Sequence, residues 1–405
     1  MKILLLLTHS YPYGAGESFL DAELRYVSGF DRVVICPCSC DPESPRTASL
    51  PENVECIPPV RRKSGSTAYL RLLFRPCIQE ELFRLFCSGR LTKERAHELL
   101  FFMRNAGEIA GALEQAVAVQ PGDSVVVYSY WLYDAAAAGV LVASRIRRKG
   151  AAVRVISRAH GFDVHSERAP HRYLPMRMFL FRGLDRIYPC SADGESVLRS
   201  GAGKYASKIT RSYLGTEDCG EGRQSRQPFH IVSCSYMVPV KRLHRIVEAL
   251  KLADFPVLWT HIGSGPLEGE IRETASELPA NVRAEFLGSH PNPEILAYYR
   301  DHLVSVFVNV SSSEGIPVSV MEACSFGIPV VATNVGGTHE IVSDGENGFL
   351  LSPDFTPQEL LAALERVRSM SDGDYEAFCR SSRRIWQQKF SACRNYPKFY
   401  GEISL

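Results

Sequence analysis

The stretch 304–351 reads VSVFVNVSSSEGIPVSVMEACSFGIPVVATNVGGTHEIVSDGENGFLL and lays out a strand, a loop, a helix and a second strand. Val304, Val306, Val308 and Val310 recur every second residue around Phe307, a β-branched, apolar run suited to a buried strand. Positions 311–315 turn the chain. Pro317 is expected to open a helix, because its missing N–H is one that the first turn leaves unpaired anyway. Gly327 supplies the helix stop, and 328–333 form the next strand. Glu314 stands at the mouth of that helix and Glu322 inside it. Eight residues of helix turn through about 800°, within roughly 80° of the starting face, so both acids border one groove. Backbone N–H groups of the first turn, near Val318 and Ser319, form a site for an anion.

Glu314-x7-Glu322, then Gly327-x-Pro329, the Gly336-Gly337 loop and the Asp344-Gly345 turn, resembles the donor site of the retaining glycosyltransferases of family 4 (glycosyl transferases group 1). That resemblance covers nearly the full chain and is weakest over 61–116. It implies an α/β chain of GT-B fold: two Rossmann-like doubly wound domains facing a central cleft, with a C-terminal helix crossing back to the first domain. The expected division is an acceptor-binding domain at 1–217 with a helical insertion at about 61–116, a linker at 218–228, a nucleotide-sugar domain at 229–385 and a returning helix at 386–405. The linker rests on the run EDCGEGRQSRQ, which is polar, contains glycine and lacks apolar periodicity.

Whole-chain properties narrow the classes. The 405 residues suffice for two domains, and 45% hydrophobic residues permit large cores. A net charge of +1 gives no global basic field for nucleic acid. The opening MKILLLLTHSYPYG fits a first buried strand better than a signal peptide. Residues 125–143 are the one membrane-span lookalike, but Ser129, Asp134 and Gly139 interrupt them, and a strand followed by a helix is simpler. Twelve scattered cysteines read as reduced thiols of a cytosolic protein. The Cys36-Pro37-Cys38-Ser39-Cys40 run lacks a distant partner pair and is a poor zinc pattern.

In the first half, the strand 1–7 feeds a loop with Gly14, Gly16 and Glu17, then apolar residues at helical spacing. A glycine loop between strand and helix presents amides to a phosphate or sugar, although an ordinary tight turn reads the same way. No third glycine follows and the second strand ends without an acid, so a dinucleotide fingerprint is excluded. Residues 61–116 are helical, with Arg61-Arg62-Lys63 followed by TAYLRLLFRP. Such a segment either packs on the sheet with arginines to water or rests on an anionic membrane surface. The strand 152–157 delivers Arg158-Ala159-His160-Gly161-Phe162-Asp163 at its carboxyl end, where ligands bind in open α/β sheets. Position alone leaves His160 either a ligand-binding imidazole or a loop histidine. The six-residue run matches a bacterial surface-polysaccharide subgroup of the family. The resemblance implies that His160 faces the donor sugar, that Gly14, Gly16 and Glu17 serve the donor diphosphate and the acceptor side, and that Arg158 and Asp163 orient His160 or reach the acceptor.

In the second half, Pro239-Val240-Lys241-Arg242 lies at a strand-to-helix junction, where two cations can neutralise a diphosphate. The family motif matches at Pro239 and Lys241, but Ser235-Tyr236 stands where many members carry Gly-Arg; Arg242 is expected to replace that arginine. Gly263 and Gly265 close the next strand, and Ser289 lies where the family reads the base.

The resulting expectation is transfer of a hexosyl group from a UDP- or GDP-sugar to a hydroxyl of a glycan or lipid-linked acceptor, with retained anomeric configuration, in capsule, exopolysaccharide or O-antigen synthesis. By resemblance, His160, Glu314 and Lys241 are catalytic. Arg242, Gly263, Gly265, Ser289, Gly315, Ile316, Pro317, Val318, Ser319 and Glu322 bind donor, Glu322 at the ribose. With no Asp-x-Asp loop, no metal or other cofactor is expected. The protein is expected in the cytoplasm, at the inner face of the cell membrane if it makes peripheral contact. A nucleotide-sugar 2-epimerase and a non-catalytic sugar-nucleotide scaffold are the alternatives.

Overall fold

Among the described residues the valine-, isoleucine- and leucine-rich runs form twelve strands, and those that pair do so in parallel. A computed structural model describes residues 1–14, 17, 19–41, 43–48, 50–60 and 67–405. Gly16 and the basic run Arg61, Arg62 and Lys63 lie outside the described residues. The chain divides into two units: Met1–Ser212 with Tyr396–Leu405, and Tyr213–Asn395.

The first unit holds β1 (Lys2–Thr8), β2 (Arg32–Pro37), β3 (Val54–Cys56), β4 (Ser124–Ser129), β5 (Ala152–Ala159) and β6 (Arg186–Pro189), in the order β3-β2-β1-β4-β5-β6. The second holds β7 (His230–Cys234), β8 (Val257–Ile262), β9 (Val282–Gly288), β10 (Val306–Asn309), β11 (Val330–Thr333) and β12 (Gly348–Leu351), in the order β12-β11-β10-β7-β8-β9. Counted within each unit, both orders are third, second, first, fourth, fifth, sixth: the doubly wound arrangement that gathers ligands outside the strands' carboxyl ends. Leu5 pairs with Val34 and Val127, and Phe307 with Val232 and Val330. Apart from the edge strands β3 and β9, both sheets bury both faces, which is why their strands read as continuous apolar runs. Residues 125–143 are indeed a strand and then a helix, Asp134–Arg148, whose Gly139 lets it settle onto Val127 and Val155. No helix among the described residues is long and apolar enough to cross a membrane.

Some boundaries differ from the sequence reading. The run 217–227 lies within the second unit: Gly222 N–H donates to Phe326 O at 3.0 Å, Gln224 Nε2 to the same oxygen at 2.5 Å, and Arg223 bridges to Leu303. Polar residues anchored by backbone groups carry no apolar period, so the run reads as a linker. The first unit resumes at Tyr396, inside the helix Ala392–Ile403, rather than at 386. Pro317 is the N-cap of the helix Val318–Ser325, with extended backbone, and not its first helical residue.

Arg158 occupies the interior of the first unit. Its Nε donates to Tyr128 Oη (2.7 Å), its Nη1 to Ser212 O (2.9 Å), and its Nη2 stands 3.6 Å from Glu23 Oε1. Phe399 packs on the guanidinium at 4.0 Å, and Tyr128 and Tyr400 also bond to Glu23. A side chain with no exposed surface cannot meet an acceptor, so the expected acceptor role of Arg158 is replaced by a structural one. Breaking a buried pair from one side leaves an uncompensated charge. Arg158→Met is therefore expected to cost about 3–5 kcal/mol in chemical denaturation, and the double variant Arg158→Met/Glu23→Leu clearly less.

Candidate functional site

In the second unit, the loops after β7, β8, β9, β10 and β11 emerge at the carboxyl edge of the sheet. After β7, Pro239–Lys241 form one 3-10 turn, and Arg242 caps it in the left-handed region at φ 48°. After β10, Ser312 N–H donates to Val240 O at 2.8 Å, which ties the two loops together. That tie carries Lys241 to Glu314: Lys241 Nζ lies 2.7 Å from Glu314 Oε1. Asn309 Nδ2 donates to the same oxygen at 3.3 Å while its Oδ1 accepts Ser311 N–H at 3.0 Å. The pair is mostly buried without being sealed, where a charge-assisted contact is stronger than at an open surface.

The helix Val318–Ser325 starts just beyond. The amides of Val320 and Met321 both turn back to Pro317 O at 3.2 Å, so those of Val318 and Ser319 stand at its mouth. Gly327, at φ 79°, closes the helix as expected. The Gly336-Gly337 loop presses against its other flank. A Cβ at Gly336 would lie 2.0 Å from Glu314 O, and Gly337 N–H donates to Gly315 O at 2.8 Å. Gly263 and Gly265 do the same service at the β7 loop, where a Cβ would lie 2.0 Å from Ser235 O and 2.5 Å from Met237 O respectively. Ser289 Oγ donates to Ser264 Oγ at 2.9 Å, which joins the β9 loop to the β8 loop.

Glu322 faces inward from that helix and accepts Asn292 Nδ2 at 2.7 Å. Burial pushes its carboxyl up to about 7, against the opposing pull of the Asn292 bond. Arg242 departs from expectation. Its Nε donates to Val310 O (2.8 Å), Nη1 to Pro353 O (2.8 Å) and Nη2 to Ser311 O (3.2 Å), with the Phe355 ring beneath. A guanidinium that clamps three carbonyls of neighbouring loops is not available to a diphosphate, so it does not replace the arginine missing at Ser235-Tyr236. A second network escaped the sequence reading. Trp259 Nε1 donates to Ser233 Oγ (2.9 Å), Ser233 Oγ meets His261 Nδ1 (2.8 Å), and His261 Nε2 donates to Ser235 O (3.1 Å). Ser233 and His261 are register partners on β7 and β8, a pairing that sequence order does not reveal. The chain of bonds holds the Ser235 carbonyl against Gly263.

In the first unit, Glu17 is buried and fully occupied. Oε1 accepts His9 N–H (3.0 Å) and Trp131 Nε1–H (2.6 Å), and Oε2 accepts Ser10 N–H (2.7 Å) and Tyr11 N–H (2.8 Å). It organises its own loop from inside instead of offering a carboxylate to a ligand. Gly14, at φ 66°, makes the turn before it. His160, partly exposed, lies among rings, with Tyr130 at 4.7 Å and Trp131 at 4.5 Å, and Trp131 in turn packs on Phe162 at 5.1 Å. Its Nε2 is 3.0 Å from Tyr130 O, which can only accept, so Nε2 carries the proton and Nδ1 is the acceptor nitrogen. Desolvation, with Arg158 nearby, lowers the imidazole to about 3, so the ring is neutral at physiological pH. Asp163 Oδ1 accepts His160 N–H at 2.7 Å and Oδ2 accepts Leu132 N–H at 2.8 Å. Asp163 thus fixes the loop that carries His160 and is too buried to reach an acceptor.

Residues 221–383 match the family model described as glycosyl transferases group 1. Among curated relatives, the putative colanic acid biosynthesis glycosyltransferase WcaL of Salmonella typhimurium is 29% identical over 243 residues, 57% of this chain and 59% of that protein. The amylovoran biosynthesis glycosyltransferase AmsK of Erwinia amylovora is 26% identical over 58% of each chain. The chain thus spans under two thirds of the length of these relatives. Among solved structures, Anabaena Alr3699/HepE in complex with UDP-glucose aligns with TM-score 0.65 at 17% identity, over 99% of this chain and 98% of that one. The fold is GT-B.

A carboxyl raised by burial favours the protonated folded state between its unfolded value, near 4.3, and about 7, so it subtracts stability as pH rises through that window. Glu322→Gln keeps the Asn292 bond and has no proton to lose. Its stability relative to the native chain is expected to improve by on the order of 3 kcal/mol between pH 4 and pH 8, read by denaturant midpoints across pH.

Proposed function

We propose that the chain is a glycosyltransferase of bacterial surface-polysaccharide synthesis. It moves a hexosyl group from a UDP- or GDP-sugar to a hydroxyl of a glycan or lipid-linked acceptor, with retention at the anomeric carbon and without a metal. The single observation that carries this reading is the Lys241–Glu314 pair at the mouth of the helix Val318–Ser325. The matched family segment, the polysaccharide relatives and the fold support it.

A nucleoside diphosphate leaving group gathers negative charge as the glycosidic bond breaks. Lys241 and the amides of Gly315, Ile316, Val318 and Ser319 stabilise that charge, and their positions are set before substrate arrives. Glu314 keeps Lys241 oriented and positions the sugar ring, with its own charge balanced by the ammonium. Glu322 accepts the ribose hydroxyls; a carboxylate is the better acceptor, so its ionisation near 7 couples to donor binding. Neutral His160 takes a hydrogen bond from a sugar hydroxyl at Nδ1. No base of the inverting kind is assigned. The departing phosphate oxygen takes the acceptor proton, which balances the transfer. The site of action is the cytoplasm, at the inner face of the cell membrane where a lipid-linked acceptor is met.

The test is nucleoside diphosphate release from a panel of UDP- and GDP-sugars, with a bacterial lipid extract as acceptor source and the product anomer read by NMR. Release with one donor, undiminished by EDTA and cut by about 10²–10³ in Lys241→Ala, is the expected outcome. No release with any donor, or release indifferent to Lys241→Ala, rejects it. A second measurement addresses Glu322. Affinity for an uncleaved nucleotide sugar is expected to rise as pH passes upward through about 7 and to lose that dependence in Glu322→Gln.

A further inference from the structure

Large apolar side chains on the outside of this chain are not evenly spread. Of the fourteen that are exposed among the described residues, six lie between positions 70 and 91: Leu70, Leu73, Phe74, Phe83, Phe86 and Leu91. Phe74, Phe86 and Phe83 are 80%, 69% and 68% exposed. Singly exposed apolar residues are ordinary, whereas a concentration of this kind marks a surface that something covers.

The two helices involved explain why these residues face outward. Thr67–Leu73 and Pro76–Cys87 are anchored to the first unit by Leu72, Ile78 and Leu85, which join its buried core. With those positions inward, Leu70 and Leu73 face outward from the first helix at i, i+3 spacing, and Phe74 follows at once in the turn beyond its end. Phe83 and Phe86 share a face of the second by the same rule. Solvent-facing helix positions normally carry polar residues, and here Leu70 and Leu73 of the first helix, and Phe83 and Phe86 among Gln79, Glu80 and Arg84 of the second, break that rule.

Charge distinguishes among occupants. Arg71 and Arg75 are interleaved with the aromatic residues, and among the described residues neither has an acidic partner. The acids nearby are already neutralised: Glu80 pairs with Arg182 at 2.7 Å, and Glu81 is buried against Arg84 at 2.5 Å while accepting Tyr173 Oη at 2.7 Å. What remains is apolar and cationic. The geometry is a projection and not a groove, because Phe74 stands at the corner between the helices, two residues before Pro76. A protein partner would need a matching cavity for each projecting ring; a bilayer deforms around them. Phenylalanine at the acyl boundary with arginine at the headgroups is the arrangement of an interfacial anchor.

We propose that the outward faces of Thr67–Leu73 and Pro76–Cys87 dock this chain on an anionic lipid bilayer, through Phe74, Phe83 and Phe86 inserted among the acyl chains and Arg71 and Arg75 at the headgroups. This rests on the transferase reading only for its purpose, delivery of the first unit to a lipid-linked acceptor. Lipid binding is measured without any sugar nucleotide, so its failure leaves the transferase reading standing.

The experiment is flotation of the full chain with vesicles of phosphatidylethanolamine and phosphatidylglycerol at 3:1, against phosphatidylcholine alone, at low and high salt. The expected result is binding to the anionic vesicles that weakens with salt. Phe74→Ser/Phe83→Ser/Phe86→Ser is expected to lower the bound-to-free ratio at least tenfold, and Arg71→Gln/Arg75→Gln roughly fivefold per arginine. Since Arg71 and the three phenylalanines point to water and Arg75 is half-buried without an acidic partner among the described residues, the variants should keep the native circular dichroism and thermal midpoint. Equal binding of the native and triple-serine chains overturns the proposal, as does no binding to either vesicle. Sedimentation equilibrium covers the rival occupant: a dimer that the serine substitutions dissociate, without vesicle binding, means that a second copy covers this face and the lipid proposal is wrong.

Discussion

Backbone pressed directly on backbone is the constraint on which the second unit's site depends. Glu314 O lies where a side chain at Gly336 would begin, and Ser235 O where one at Gly263 would begin. Neither contact tolerates even a methyl group. Their effect is to set the height of the loops after β7 and β10 above the sheet. Ser312 then reaches Val240, and Lys241 reaches Glu314. The Gly-Gly pair, which looks in the sequence like a flexible turn, is a rigid seat. Flexibility is its cost in the unfolded chain and not its service in the folded one.

In each unit by itself, charges are answered within the chain. Glu314 has Lys241, Glu322 has Asn292 and a shifted proton affinity, Glu17 has three backbone amides and an indole, and Arg242 has three carbonyls. These are two different situations. Glu17 and Arg242 have their polar atoms consumed by main-chain groups that cannot leave, and they serve as fixed posts. Lys241 and Glu314 answer each other with side chains, and the contact holds the ammonium in one place above the helix mouth, so its field is that of an oriented, half-buried pair and not of a bare charge.

The fold was legible because parallel strands buried on both faces leave continuous apolar runs, and because glycine at φ 79° after Ser325 and Phe326 stops a helix wherever it occurs. Glu314 and Glu322 could be placed together from the sequence because their spacing is local to one strand–loop–helix unit, whereas Lys241 belongs to the loop after β7, 73 residues before Glu314. Arg158, Glu17 and Arg242 were misread for a common reason. A charge at the carboxyl end of a strand announces its location but not its hydrogen-bond partner, and each partner lies more than a hundred residues away: Glu23 for Arg158, Trp131 for Glu17, Pro353 for Arg242. The Ser233–His261 bond was illegible for the same reason, since it depends on β7 and β8 being neighbours in register. Pro317 shows a smaller limit: a proline marks the start of a helix to within a residue, and cap and first turn look alike in sequence.

Arg158 adds a matter of timing. It and Glu23 both belong to the first 160 residues, yet Phe399 and Tyr400, which cover them, follow the whole second unit in chain order. As the chain leaves the ribosome, the first unit therefore carries an uncovered charge pair while residues 213–395 are made. Those residues form an uninterrupted block with all of their own sheet, so they can close before the first unit is finished. The unit that starts first is completed second, and a ribosome stalled short of Phe399 would hold an open first unit beside a closed second one.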